Sequence, residues 1–269
     1  MSFALESLGH MAITSQRPFD FSGATAVVLG GATGLGRAMA CGLAAHGATV
    51  CVVSRSEDKA RAAADAITRE SDGRCWSWAA DVTVEDSVKR LRDELHTRGG
   101  GRLNIAINSA GINVRHPIEQ IALDEWESIQ RVNSSGAFLF AREMFPLLKA
   151  AGWGRLIHVA SIFASRSFPG RTSYASSKGA LLQLTRTLAV EWAEQHVTVN
   201  AISPGPFLTE MTRPLVDQPD VFHRFRDRIP LKRFAEPAEI ITACLFLASP
   251  ASSFVTGADI LVDGGWTAA

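Results

Sequence analysis

The sequence predicts an α/β fold, a doubly wound parallel sheet with helices on both faces, and three observations carry that expectation. Short β-branched runs alternate with longer helical patterns from Ala24 onward. The strand runs are apolar at nearly every position, as strands buried on both faces are. A glycine-rich turn joins the first strand to the first helix, and no linker, repeat or compositional shift interrupts the series. The expected organisation is one domain over 23–269, preceded by an N-terminal tail over 1–22.

The elements follow in order. ATAVVLG reads as the first strand, with a helix through 37–46, then the strand ATVCVVS and a helix over about 57–70, which completes a βαβ unit. CWSWAA, a polar helix near 85–98 and LNIAIN continue the pattern. A long helix is expected over 124–150, containing Pro146 near its end. RLIHVAS, VTVNAIS and ADILV supply the later strands.

Composition narrows the function. Apolar residues make up 46% and charged residues 20% of the 269, and 27 basic side chains cancel 27 acidic ones. That balance disfavours a disordered chain, a basic nucleic-acid binder and an acidic decoy. Cys41, Cys51, Cys75 and Cys244 lie far apart, without a C-x-x-C or a histidine pair at metal spacing, so neither a disulfide framework nor a metal site is expected. The first 22 residues hold no apolar run of signal-peptide length, and no stretch approaches a membrane span of roughly 18 residues. A soluble, cytoplasmic protein is expected.

The segment Gly30-Gly31-Ala32-Thr33-Gly34-Leu35-Gly36 lies between a strand and a helix, where glycines let the backbone approach a pyrophosphate at the helix N-terminus. It lacks the Lys-Ser or Lys-Thr of an ATPase phosphate loop. At the end of the second strand, where an acid would bind an adenosine ribose, stand Ser54 and Arg55. A hydroxyl and a guanidinium suit a 2′-phosphate, so NADP(H) is favoured over NAD(H).

Ser161, Tyr174 and Lys178 form a second constellation. Tyr174 is the only tyrosine, and the i,i+4 spacing puts phenol and ammonium on one side of a helix beginning near Ser173. All three can meet at the edge of the strand that delivers Ser161. Individually, the bland readings are a solvated lysine, a serine capping a turn and, for Asn133, a buried amide serving the backbone.

The glycine turn, Asn108-Ser109-Ala110-Gly111, Asn133, Ser161 and Tyr174-Ala-Ser-Ser-Lys178 together resemble the classical short-chain dehydrogenase/reductase family, from about Phe21 to the end. The resemblance implies a single Rossmann-type domain with a seven-stranded parallel sheet, a nicotinamide cofactor and a homotetramer. It assigns Tyr174 as general acid/base, Lys178 to the nicotinamide ribose and to lowering the phenol pKa, Ser161 to the carbonyl oxygen and Asn133 to a proton-relay water. A free phenol titrates near pH ~10, and a cation about 4 Å away supplies roughly the 4 kcal/mol that operation near neutrality needs. Asp81 and Val82 match the adenine contact, although Asp81 also suits an N-cap. Asn108, Ala110 and Gly111 match the fourth-strand cofactor wall. Pro204, Gly205 and Thr209 match the loop beside the carboxamide, and Thr209 equally suits a helix cap.

Two departures stand out. Leu29 occupies a position the family usually gives to Thr, and Ser109 one it gives to Asn. Both positions help lock the first strand to the fourth, so Leu29→Thr is expected to raise thermal stability.

Substrate choice falls to the loops after the fourth and fifth strands and to a mobile segment over about 207–233. Arg115 and Arg166 are candidates to pair with a carboxylate. Asn-Val-Arg115-His-Pro and the ending Val262-Asp263-Gly264-Gly265-Trp266 resemble gluconate 5-dehydrogenases and related keto-sugar-acid reductases. Phe163, Phe168, Phe207 and Met211 offer apolar surface, which keeps 3-oxoacyl thioester reduction as the alternative. A non-catalytic NADP(H) sensor is a remote third reading, since a sensor has no chemical need for the phenol and ammonium.

Overall fold

The structure is a computed structural model that describes residues 19–269. Most of the expected tail over 1–22 therefore lies outside the described residues. The packed fold reaches back to Phe21, which is buried and donates its backbone N–H to the His46 carbonyl.

Seven parallel strands form one sheet in the order β3-β2-β1-β4-β5-β6-β7. They are β1 (Thr25–Leu29), β2 (Thr49–Ser54), β3 (Arg74–Ala79), β4 (Ile105–Asn108), β5 (Gly154–Val159), β6 (Val197–Pro204) and β7 (Asp259–Val262). Helices α1 (Gly34–Ala45), α2 (Glu57–Ser71) and α3 (Glu85–Arg98) alternate with the first four strands, as expected. Two apolar clusters, one on each sheet face, bury alternate residues of β1 and β2: Val28, Val50 and Val52 on one side, Val27, Leu29, Cys51 and Val53 on the other. That two-sided burial is why these strands are apolar throughout.

The helix expected over 124–150 is interrupted. It runs as α4 (Leu123–Gln130) and α5 (Gly136–Ala150), joined by a π-helical turn over Arg131–Ser135 that carries Asn133. Such one-turn widenings often mark functional sites. After β5 comes α6 (Thr172–Glu191), with Tyr174 and Lys178 in its first two turns.

The segment after β6 holds two helices that the strand pattern did not reveal, α7 (Arg213–Val216) and α8 (Pro219–Arg228). Its ends are clasped together, since Leu208 N–H donates to Ala235 and Ala235 N–H to Pro206. Helix α9 (Ile241–Ala248) precedes β7. Phe225 and Phe222 of α8 pack into an aromatic group with Phe163, Phe168, Phe234 and Trp266.

The surroundings of Leu29 argue against a gain in stability on replacement by Thr. Its side chain is buried in the β1 apolar face, and its carbonyl already accepts from Ser109 N–H at 2.9 Å. Strands β1 and β4 are therefore locked without a threonine hydroxyl, and a Thr there would lose apolar burial.

Candidate active site

The strand order changes direction between β1 and β4, and a cavity of about 380 Å³ opens over the carboxyl ends of the strands there. One wall is the glycine turn. Gly30 has φ +75°, and a Cβ on it would lie 2.9 Å from the Ser109 carbonyl oxygen, so only glycine fits. Gly34 has φ +51° and begins α1, whose first turn contains no acidic residue. The first turn thus offers amides and the helix dipole to the cavity with no carboxylate of its own, although Glu210 approaches Gly34 from the opposite loop. Thr33, Gly34 and Leu35 line the cavity, while Gly36 lies behind the wall, where a Cβ would collide with the Gly30 carbonyl.

Ser54 and Arg55 border the cavity at the end of β2. Arg55 is exposed and has no hydrogen bond or salt bridge among the described residues. Asp81 and Val82 line the next stretch. The Asp81 carboxylate accepts from Thr83 N–H at 2.8 Å and the Thr83 hydroxyl at 2.7 Å, which with the Arg55 charge holds its pKa below the usual range. It caps a turn rather than α3, whose N-cap is Val84.

Ala110 and Gly111 reach the wall as expected, but Asn108 does not. Asn108 is buried, and its carboxamide oxygen accepts from Ala110 N–H, so it shapes the turn from beneath. Pro204, Gly205 and Thr209 close the opposite side. The Thr209 carbonyl accepts from the N–H groups of Thr212 and Arg213 in the turn that leads into α7, and its methyl lies beside Gly34. These walls fit a dinucleotide: a glycine cradle, a helix N-terminus whose own first turn holds no acid, and a surface cation without a salt bridge.

Ser161, Tyr174 and Lys178 meet on the cavity floor. Lys178 is 4% exposed and donates to the Val159 carbonyl at 2.7 Å, and burial lowers its pKa to about 8. Burial pushes the Tyr174 phenol up; the Ser161 hydroxyl, Arg171 and Arg115 pull it down without cancelling the rise. Lys178 Nζ sits 5.7 Å from the Tyr174 ring centroid. The direct lowering expected of Lys178 is thus carried here by Ser161 and the two arginines. Ser161 also starts a short 3₁₀ turn, accepting from Phe163 N–H at 3.2 Å, so its capping role coexists with its place on the floor.

Asn133 is off the cavity wall. Its side chain pairs with both backbone groups of Ile112, each at 2.9 Å, and donates to Ser177 Oγ at 2.9 Å. It therefore fastens the loop after β4 to the residue preceding Lys178.

Of the expected substrate residues, Phe163, Phe207, Met211 and Arg115 line the cavity. Arg115 donates to the Met211 carbonyl at 3.0 Å. Arg166 does not reach it: its guanidinium is turned outward to the Thr267 carbonyl at 3.1 Å. The second arginine on the substrate side is Arg171, three residues before Tyr174, and that spacing of about one turn was the available signal. Asn113, also unpredicted, lines the wall with a buried carboxamide oxygen lacking a partner. Among the described residues, no group of His, Cys, Asp and Glu is arranged to hold a metal, and no helix is long and apolar enough to cross a membrane.

Residues 30–267 match the family described as enoyl-(acyl carrier protein) reductase. The chain is 33% identical to gluconate 5-dehydrogenase of Gluconobacter oxydans, across 93% of this chain and 96% of that one. It is 31% identical to a 3-oxoacyl-[acyl-carrier-protein] reductase of Aquifex aeolicus, across 90% and 97%. Its fold superposes with TM-score 0.89 on a gluconate 5-dehydrogenase of Burkholderia cenocepacia in complex with NADP and tartrate, at 34% identity over 94% of this chain and 98% of that one.

Proposed function

The chain belongs to the classical short-chain dehydrogenase/reductase family, NAD(P)-dependent oxidoreductases of CH–OH groups, and from that premise we propose that it interconverts a sugar acid such as gluconate with its keto form, using NADP(H). The observation that carries this reading is the convergence of Ser161, Tyr174 and Lys178 on the floor of a cavity whose substrate side presents Arg115.

The bound nicotinamide would supply or accept the hydride and, when oxidised, add a positive charge near the phenol. Lys178 is positioned for the nicotinamide ribose, and its bond to Val159 sets its direction. The phenol, raised by burial, is protonated at neutral pH, so in the reductive direction Tyr174 is ready to give its proton to the substrate oxygen. Ser161 donates a hydrogen bond to that same oxygen. In the oxidative direction both steps reverse. Asn133 positions Lys178 through Ser177. The unpaired Arg55 beside Ser54 supports NADP(H) over NAD(H).

The same fold supports a cytoplasmic homotetramer. Phe138 on α5, Val190 on α6, Leu261 on the edge strand β7 and Phe254 just before it expose apolar surface that subunit contacts would cover, and all four cysteines are free thiols.

Initial rates with D-gluconate, run with NADP⁺ and NAD⁺ in parallel and Tyr174→Phe as the blank, test the proposal. Turnover that vanishes in the variant supports it. Absence of turnover with either cofactor removes gluconate as the substrate. The aromatic group of Phe163, Phe168 and Phe225 beside the cavity favours 3-oxoacyl thioester reduction as the second reading, and an acetoacetyl thioester is its probe.

A further inference from the structure

Two arginines of this fold are equally buried and differently employed. Arg155 is 3% exposed, and each guanidinium nitrogen donates to a backbone carbonyl: Nε to Ser249, Nη1 to Gly154 and Nη2 to Pro250. That is how a structural arginine meets its cost. Arg171 is 5% exposed, yet its Nε and Nη1 have no partner. It lies over the Phe163 ring at 5.6 Å and belongs to the cavity wall.

We propose that Arg171, together with Arg115, forms a carboxylate-binding subsite beside Tyr174, so that the substrate carries its reacting alcohol or ketone a few carbons from a carboxylate. The proposal rests on the sugar-acid reading and narrows it. Neither arginine has a salt bridge among the described residues, and the Arg115 charge adds to the cost of burying Arg171. Glu210, the other acid on the wall, faces Gly34 on the cofactor side. Two cations without a counter-charge, Arg171 buried and Arg115 half-buried, are held on one cleft wall at a cost that an anionic ligand relieves. Arg171 leaves Nε and Nη1 without partners, so its guanidinium retains donors that no protein group satisfies and that a carboxylate can use. The unpartnered carboxamide oxygen of Asn113 on the same wall suits a substrate hydroxyl. An acyl thioester offers no charge to Arg171.

The test is isothermal titration of the enzyme–NADPH complex, which cannot oxidise an alcohol, with D-gluconate, tartrate and the uncharged D-glucitol, on wild type, Arg171→Gln and Arg171→Lys. The expected result is carboxylate binding weakened by roughly 30-fold or more in Arg171→Gln. Arg171→Lys should restore part of it, with NADPH affinity within about twofold throughout. In steady state the loss should fall on KM more than on kcat. Arg171→Met should melt at or above the wild-type temperature, because it removes an unpaired buried charge, whereas a structural arginine would lower it.

Gluconate binding unchanged in Arg171→Gln overturns the subsite while leaving the sugar-acid reading standing. Arg171-dependent tartrate binding without gluconate turnover upholds the subsite and removes gluconate as substrate. Failure of the wild type to bind either carboxylate overturns the subsite.

Discussion

The Lys178 ammonium donates to the Val159 carbonyl at 2.7 Å, and this bond fastens the first turns of α6 to the strand that delivers Ser161. With that bond made, the ammonium stands 5.7 Å from the Tyr174 ring centroid. Lys178→Met removes that cation and strands a buried acceptor. Turnover should fall about 100-fold or more and NADPH affinity about tenfold, with the circular dichroism spectrum retained. Fluorescence titration with NADPH checks the second figure, and an unchanged Kd would remove the cofactor-holding role of Lys178.

Arg55 is the only basic residue on the stretch of wall formed by Ser54, Arg55, Ala80, Asp81 and Val82, and it has no partner to hold it elsewhere. A charge-assisted contact to a 2′-phosphate is worth roughly 1.5–3 kcal/mol, or about 10- to 100-fold. Arg55→Ala should therefore raise KM for NADP⁺ by that factor and leave KM for NAD⁺ within about twofold. Equal effects on both cofactors would show that Arg55 does not read the phosphate.

The sheet, the glycine turn and the Tyr174–Lys178 pair were legible because each depends on short-range pattern: continuous short apolar runs, a strand–turn–helix junction and one helical turn. Arg171 carried such a signal in standing one turn before Tyr174, but nothing short-range excluded Arg166. Both follow Ser161, but only the three-dimensional path of the loop turns one outward to Thr267 and the other inward over Phe163. Asn108 and Gly36 belong to the family pattern, yet they act by shaping the turns behind the wall. The π-helical turn was invisible because its residues continue an ordinary helical pattern, and the bonds that hold Asn133 there run to Ile112 and Ser177, far away in sequence.

Leu29 shows how packing overrides a family preference. It is 3% exposed, pairs in register with Val53 and Asn108, and lies in one apolar cluster with Ala80 and Val82. Leu29→Thr deletes methyl groups and buries a hydroxyl, which should cost roughly 2 kcal/mol, a fall in melting temperature of about 4–8 °C. Differential scanning calorimetry decides it; a rise in Tm would restore the strand-locking role of a threonine hydroxyl.

His158 should make the fold sensitive to mild acid. It is fully buried on β5, its Nδ1 lies 2.9 Å from the Thr185 hydroxyl, and its Nε2 has no partner. Thr185 gives its own proton to the Leu181 carbonyl, so the His158 Nδ1 must be the donor and Nε2 the bare nitrogen. Protonating Nε2 would place a second buried cation near Lys178, and burial with that charge lowers the pKa from 6.5 to about 3. Between these values the unfolded chain binds the extra proton, so stability is intact above pH 6.5 and is lost as pH falls toward 3. The slope from this one residue is about 1.4 kcal/mol per pH unit. Urea midpoints between pH 7 and 4.5 should fall more steeply for wild type than for His158→Gln. Parallel curves would mean that acid enters the fold elsewhere and that His158 titrates much as it does in water.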